Sequence, residues 1–322
     1  MVDLRNREIK IFTGNANRPL AEKIAQYLGL PLGKMIVNRF PDGEIYARSL
    51  ENVRGRDTFV IQSTFAPADN LMELLIIIDA LKRASAHTVG AVIPFFGYAR
   101  QDRKTKSREP ISAKLVANLI TVAGADRVIS VDLHAGQIQG FFDIPMDNLT
   151  AVLILSDYIR KKNIENPVVV SPDVGGVARA TEFAKNIPHS TQAIFAKRRL
   201  SPEEVETNRL IGDVKDKNVI FVDDAIHTGN TIISATNEVL RRGAKSVYVC
   251  VTHGIFARDS LKKFEASPIK EIVVTDTVPV KERNVLPKKV TVLSVAPLIG
   301  EAIKRISLHE SVSALFERKL EK

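Results

Sequence analysis

The chain has 322 residues, 45% of them hydrophobic and 26% charged, with a net charge of +9. That length suits about two globular domains, and no apolar run approaches a membrane span, the run at 74–78 being the longest. The start, MVDLRNREIKIF, is charged and lacks the apolar core of a signal peptide.

Apolar runs of strand length alternate with helix-like segments. In chain order they predict a strand at 9–12, a helix at 18–28, a strand at 58–62, a helix at 70–84, a strand at 88–94, a helix at 112–123 and a strand at 127–131. A helix at 148–162, a strand at 168–170, a helix at 177–184, a strand at 219–222 and a helix at 231–242 follow. Strands at 246–251, 271–274 and 290–295 and a helix at 298–305 complete the chain, with a loop at 281–289. This order predicts an α/β fold with largely parallel sheets. The only cysteine, Cys250, lies in the apolar run 247–251 and reads as a buried core thiol, not a nucleophile. With no possible intrachain disulfide, a cytoplasmic protein is the default.

An internal duplication is visible. TFVIQSTFAPADNLMELLIIIDALKRASAHTVGAVIP and NVIFVDDAIHTGNTIISATNEVLRRGAKSVYVCVTH both read strand, loop, helix, basic turn, strand, and VISVD at 128–132 echoes VLSVA at 292–296. Two tandem domains are expected, at 1–148 and 149–303, with 304–322 packing on the first. The first copy has Gln62-Ser63-Thr64 where the second has Asp223-Asp224, so the second should hold the anionic sugar ligand argued next.

Asp223 and Asp224 end an apolar strand, and Thr228-Gly229-Asn230-Thr231 opens a helix. Carboxylates at a strand's carboxyl end accept hydrogen bonds from sugar hydroxyls, and N–H groups at a helix N-terminus bind phosphate. A basic chain can also serve nucleic acid or an anionic membrane. Here the charge concentrates at 100–108, 197–199 and 241–245, and the chain has no tryptophan and five tyrosines. Small polyphosphates suit that pattern better than a single strand that needs stacking platforms; neither nucleic acid nor membrane is expected as a partner.

Other segments carry chemistry in combination. In Arg39-Phe40-Pro41-Asp42-Gly43-Glu44 a turn sets an aromatic ring beside two carboxylates; a plain loop with a core-facing Phe40 reads the same residues. From Arg100 to Arg108 five basic side chains crowd nine residues, as an anion site or as a solvated loop. His134 in VDLH ends a strand as a metal ligand or as a structural histidine. Asp173 in SPDVGG is a metal or sugar ligand or a helix cap. Lys197 to Arg199 end a strand ahead of a charged loop, which suits neutralising a transferring phosphoryl group; a surface hairpin reads the same way.

Taken together, FPDGE, GYARQDRKTKSREPISAKLVANL, VDLHAGQIQGFFDIPMDNL, SPDVGG, AKRR, VDDAIHTGNT and SVSALF resemble the ribose-phosphate pyrophosphokinase family, in its common phosphate-activated class, over nearly the whole chain. The resemblance implies two tandem phosphoribosyltransferase-like domains in a homo-oligomer, usually a hexamer. It implies pyrophosphoryl transfer from MgATP to the C1 hydroxyl of ribose 5-phosphate, giving AMP. By it, Phe40, Asp42, Gly43 and Glu44 hold the adenine and ribose of ATP from a neighbouring subunit, and Arg100 and Gln101 also bind ATP. His134 and Asp173 become Mg²⁺ ligands, and Lys197 and Arg199 the catalytic cations, with Arg199 also on ribose 5-phosphate. Asp223 and Asp224 take the ribose hydroxyls, and His227, Thr228, Gly229, Asn230 and Thr231 the 5-phosphate. Inorganic phosphate and ADP are the implied effectors, with Ser311 and Ser313 in SVSALF resembling a regulatory anion site.

The chain departs from the family in one loop, which usually reads Asp-Thr-x-Gly-Thr: His227 replaces the acid and Asn230 the glycine. Asn tolerates the left-handed backbone that a glycine there would supply. Two other readings share the acidic pair: a phosphoribosyltransferase that consumes the sugar pyrophosphate, and a non-catalytic nucleotide-binding subunit.

Overall fold

Runs such as Val168-Val169-Val170 and Val219-Ile220-Phe221-Val222 are apolar at every position, which fits strands covered on both faces rather than on one. A computed structural model describes residues 9–198, 207–279 and 286–315, and divides them into two units.

The first unit contains β1 (Lys10–Thr13), α1 (Arg18–Leu28), β2 (Met35–Arg39), β3 (Ile45–Ser49), β4 (Asp57–Ile61), α2 (Asp69–Arg83), β5 (Thr88–Ile93), α3 (Ser112–Ala123), β6 (Arg127–Val131) and β7 (Met146–Leu149). The second contains α4 (Val152–Arg160), β8 (Pro167–Ser171), α5 (Val177–Lys185), β9 (Thr191–Arg198), β10 (Thr207–Ile211), β11 (Asn218–Ile226), α6 (Asn230–Arg241), β12 (Ser246–Gly254), α7 (Ser260–Ala266), β13 (Glu271–Thr275) and β14 (Val290–Leu293). The α/β class with largely parallel sheets is the one expected.

The duplication is complete at the level of elements. From β1 and from β8 onward both units run β-α-β-β-β-α-β-α-β-β. Their parallel cores match strand for strand, β1-β4-β5-β6-β7 in one and β8-β11-β12-β13-β14 in the other. They differ in the hairpin. In the second unit β9 joins the sheet beside β8, with β10 outside it; in the first, β2 and β3 form a separate two-stranded ribbon.

The closing helix α8 (Ala296–Ser307) belongs to the first unit, which takes in the chain from Ser294 on and also Thr277–Pro279. The sequence reading ran the second domain to 303. Gly300 is the reason: the Tyr27 ring of α1 occupies the space a side chain there would need, and Tyr27 Oη donates to Glu301 at 3.0 Å. Thus α8 covers α1 as α4 covers α5 in the other unit.

Residues 146–149 form an edge strand on β6, not the start of the predicted 148–162 helix. Val128 donates to the Pro145 carbonyl at 2.9 Å, and Arg127 holds the Asp147 carboxylate at 2.6 Å. The β2–β3 hairpin and α7 escaped the sequence reading, their strands and helix being short and only partly apolar; β9 and β10 form the surface hairpin that is one reading of the segment at Lys197.

One close approach in the first unit sets up its site loops. Gly97 follows β5, and its N–H is held by Thr64 Oγ1 at 2.8 Å at the end of β4. A Cβ at Gly97 would run into the Thr64 carbonyl oxygen. Gly97→Ala is therefore expected to cost about 1–3 kcal/mol through overpacking, seen in calorimetry as a fall of several degrees in apparent Tm. Gly136→Ala, where an added methyl meets open space, is the control expected to melt unchanged; equal melting of both variants would contradict the packing.

Candidate active site

A topological switch point lies between β8 and β11. From β8 the chain crosses through α5 to β9 on one side, and from β11 through α6 to β12 on the other. The two loops diverge and leave a crevice at the carboxyl ends of the strands, where open α/β sheets bind ligands. The first unit's core order has no such reversal among its described strands.

The β8–β11 pairing ends at Val170 and Phe221, but β11 continues beside β12 as far as Ile226 and Gly254. The acidic pair thus lies within β11, on an overhang beyond β8, rather than after a strand ending at 222. β12 supplies the backbone partners that prolong it. Asp224 is buried, while the Asp223 side chain keeps 21% of its surface. The Asp224 N–H donates to Asp223 Oδ1 at 2.9 Å. Burial pushes the Asp223 carboxyl well above the usual carboxylate range, the adjacent Asp224 adds to the rise, and Arg179 opposes it.

Arg179 is a site residue that sequence reading missed. It stands in the first turn of α5, with Nη1 3.5 Å from Asp223 Oδ1 and 3.6 Å from Asp224 Oδ1. A cation there opposes the helix dipole, so a basic residue just after Gly175-Gly176 was a legible sign of a nearby acid. Gly176 lets the start of α5 pack on the end of β8, where a Cβ would crowd Ser171 Oγ at 2.7 Å. Asp173 Oδ1 accepts from the Gly176 N–H at 2.9 Å, so this half-buried carboxylate caps the start of α5.

Beyond the acid pair, half-buried His227 and Thr228 lead into α6. The left-handed conformation falls on Gly229, at φ 74°, whereas Asn230 is the first helical residue; its tolerance for that backbone is not called upon. A side chain at Gly229 would meet the Phe264 ring. No side chain caps α6, and Asn230 and Thr231 stand exposed at its N-terminus, where N–H groups lack intrahelical acceptors. Lys263, also missed, donates to Asn230 Oδ1 at 3.2 Å and brings a cation to that end.

In the first unit, Phe40, Asp42, Gly43 and Glu44 form the tip of the β2–β3 hairpin. The Phe40 N–H donates to the Glu44 carbonyl at 2.8 Å, Gly43 turns with φ 97°, and the Glu44 N–H donates to Asp42 Oδ1 at 3.1 Å. Phe40 is 48% exposed, packed edge-on to Tyr46, and so does not face the core. Arg39 braces the tip, donating to the Gly43 carbonyl at 2.8 Å and to Asp69 at 2.7 Å.

Two further loops each begin on a residue with positive φ, Tyr98 at 64° and Asp132 at 41°. The first presents exposed Arg100 and Gln101; Gln101 is anchored by Ser112 Oγ, which donates to its Oε1 at 2.5 Å. Among the described residues, Arg100, Arg103, Lys104, Lys106 and Arg108 are all exposed and in no ion pair. Glu109 instead gathers Thr105 Oγ1 and the N–H groups of Thr105 and Lys106 at 2.8–2.9 Å, folding the loop on itself. The second loop presents exposed His134.

The second unit holds Asp173, Asp223, Asp224 and 227–231; the first holds the hairpin tip, Arg100, Gln101 and His134. For Lys197 only the backbone, in β9, is described, and Arg199 lies outside the described residues. No group of three or more His, Cys, Asp or Glu side chains able to hold a metal occurs among the described residues.

Residues 9–124 match the family described as the N-terminal domain of ribose phosphate pyrophosphokinase, and 187–317 the phosphoribosyl synthetase-associated domain. The chain is 56% identical to the ribose-phosphate pyrophosphokinase of Thermotoga maritima over 315 residues, 97% of this chain and 99% of that one. It is 52% identical to that of Campylobacter jejuni, over 96% of this chain and 99% of the relative. Among solved structures, phosphoribosylpyrophosphate synthetase from Mycobacterium smegmatis superposes with a TM-score of 0.88 at 42% identity, covering 94% of this chain and 99% of that one.

Two expectations follow. A carboxyl raised in the folded state lowers stability increasingly as pH climbs above the unfolded value, and has no effect below it. Asp223→Asn should therefore raise the ligand-free Tm at neutral pH, with the gain shrinking to nothing in acid; a Tm equal to the parent's at neutral pH would refute the strained pair. Cys250 is fully buried and its thiol is pushed up by burial. A thiol reagent should leave the native protein unmodified and titrate one thiol after denaturation.

Proposed function

The chain belongs to the ribose-phosphate pyrophosphokinase family, and on that premise we propose that it transfers the β,γ-pyrophosphoryl group of MgATP to the C1 hydroxyl of ribose 5-phosphate. The products are 5-phosphoribosyl 1-pyrophosphate and AMP. The observation that carries the reading is the near-complete, end-to-end similarity to enzymes of that name. Neither a simple phosphoribosyltransferase nor a non-catalytic subunit is favoured by any feature of the site.

The acceptor lies at the switch point. Asp223 and Asp224 accept hydrogen bonds from the ribose hydroxyls, and the N–H groups at 228–231 bind the 5-phosphate at the α6 N-terminus, with Lys263 beside them. Phe40, Asp42, Gly43 and Glu44 hold the nucleoside of ATP, with Phe40 offering an exposed ring for stacking; Arg100 and Gln101 hold its phosphates. The unpaired basic run after Arg100 suits that anion. The C1 oxygen bonds to the β-phosphorus, the bond from that phosphorus to the AMP oxygen breaks, and the hydroxyl proton is released. Lys197 and Arg199 offset the charge that builds on the phosphoryl oxygens.

Mg²⁺ binds through one or two carboxylates plus substrate phosphates rather than through a protein cage. Asp173 supplies such an oxygen from the loop after β8, a donor that fits a cation arriving with the nucleotide. Asp173 and His134 are each proposed as a Mg²⁺ ligand, and bound Mg²⁺ would neutralise phosphoryl charge. A cytoplasmic homohexamer modulated by phosphate and ADP completes the proposal; no described helix is long and apolar enough to cross a membrane.

Phosphorus NMR of protein, MgATP and ribose 5-phosphate should show AMP and a C1-pyrophosphate signal. ADP, or no reaction with phosphate present, would defeat the reading. Lys197→Ala should lower turnover by about 10²–10³ with the melting temperature kept; near-normal turnover would remove Lys197 from catalysis.

A further inference from the structure

Arg179 has no place in the assignments above, yet it is the one described cation in contact with both carboxylates of the acceptor site. Its side chain is 17% exposed, and it makes no hydrogen bond to any described residue. A largely buried guanidinium that contacts two carboxylates at 3.5 and 3.6 Å, without a full hydrogen bond to either, balances charge without using up their acceptor positions. Its place in the first turn of α5 is unfavourable for a cation by itself, so the pair across the crevice is what holds it there. Gly176 lets the helix start pack against Ser171 at the end of β8.

From this geometry we infer that Arg179 is a positioning residue for the acceptor: it holds Asp223 and Asp224 together and favours their ionised form, in which both can accept from the ribose diol. The inference rests on the reading that this pair binds ribose 5-phosphate. A diol needs acceptors; a protonated Asp presents a donor in place of one of them. Two adjacent carboxylates without a cation retain a proton between them. The titratable groups on the described segments packed about the pair are Asp173 in the loop after β8, His253 opposite Ala225 on β12, and His227 just after β11.

The test is steady-state kinetics of the full chain with ribose 5-phosphate and MgATP across pH, for Arg179→Gln, Arg179→Lys and Asp224→Asn, with thermal melts alongside. Arg179→Gln should raise KM for ribose 5-phosphate about tenfold or more, with KM for ATP little changed. It should also move the acid limb of kcat/KM for ribose 5-phosphate to higher pH, because loss of the cation raises the pair. Arg179→Lys keeps one charge but not the fork and should restore most of the limb and part of the KM. An unmoved limb in both Arg179 variants overturns the inference, as does an equal rise of both KM values with a lowered melt, which marks a merely structural residue. If Asp224→Asn leaves KM for ribose 5-phosphate unchanged, the underlying reading of the pair fails instead, and the inference falls with it.

Discussion

Two neighbouring carboxylates, one buried and one nearly so, repel each other on the overhang of β11, and the second unit is arranged around keeping them there. The overhang exists because β12 goes on pairing after β8 has stopped. β8 stops because its chain turns the other way, through Asp173 and the two glycines into α5. That same turn delivers Arg179 to the pair. Strand length, crossover direction, glycine placement and charge balance are therefore one constraint, and the crevice is its geometrical consequence. Burial of like charge is unfavourable in the free protein; on the proposed function it is retained because the ribose diol needs both acceptors.

The first unit shows the same chain plan with that constraint removed. At the end of β4, Gln62 stands where Asp223 stands in the second unit. It donates to Glu73 at 2.8 Å, and Asn15 donates to the same carboxylate through Nδ2 at 2.8 Å. Gln62 Oε1 in turn accepts the Ala16 N–H at 3.0 Å. The end of β4 is thus tied down by the unit's own side chains, with Gln62 bonded at both its amide nitrogen and its oxygen. What remains outward are loops: the hairpin tip with Phe40, the basic segment after Tyr98, and His134 after Asp132. Freed from the sheet, the β2–β3 ribbon is the counterpart of the β9–β10 hairpin that carries Lys197 toward its tip. On the proposed function, one duplicated element thus supplies a nucleoside-binding tip in one copy and, in the other, the strand that carries the catalytic Lys197.

Much of this was legible in one dimension. The core strands of both units are continuous apolar runs, and such runs are local signals that need no knowledge of the partner. The tandem repeat, the acidic pair, the Thr228–Thr231 loop opening a helix and the basic run after Arg100 were read from spacing alone. The β2–β3 hairpin was missed because MIVNR and IYARS are half-buried and short, and pair only with each other. The helix predicted from 148 failed because residues 146–149 were claimed by the edge of β6. The left-handed residue of the phosphate loop is Gly229, not Asn230, since the helix starts one residue earlier than its pattern suggests.

The sequence by itself determined the α/β class, the duplication, the family and the chemical types gathered at the site, because each is carried by residues close together in the chain. Only the tertiary structure decided which copy has an open crevice, how far β11 extends, where the last helix packs and what balances the acidic pair. Those depend on register between strands and on contacts such as Arg179 with Asp223, whose members are distant in sequence. Local composition cannot specify a partner that folding alone brings within 4 Å.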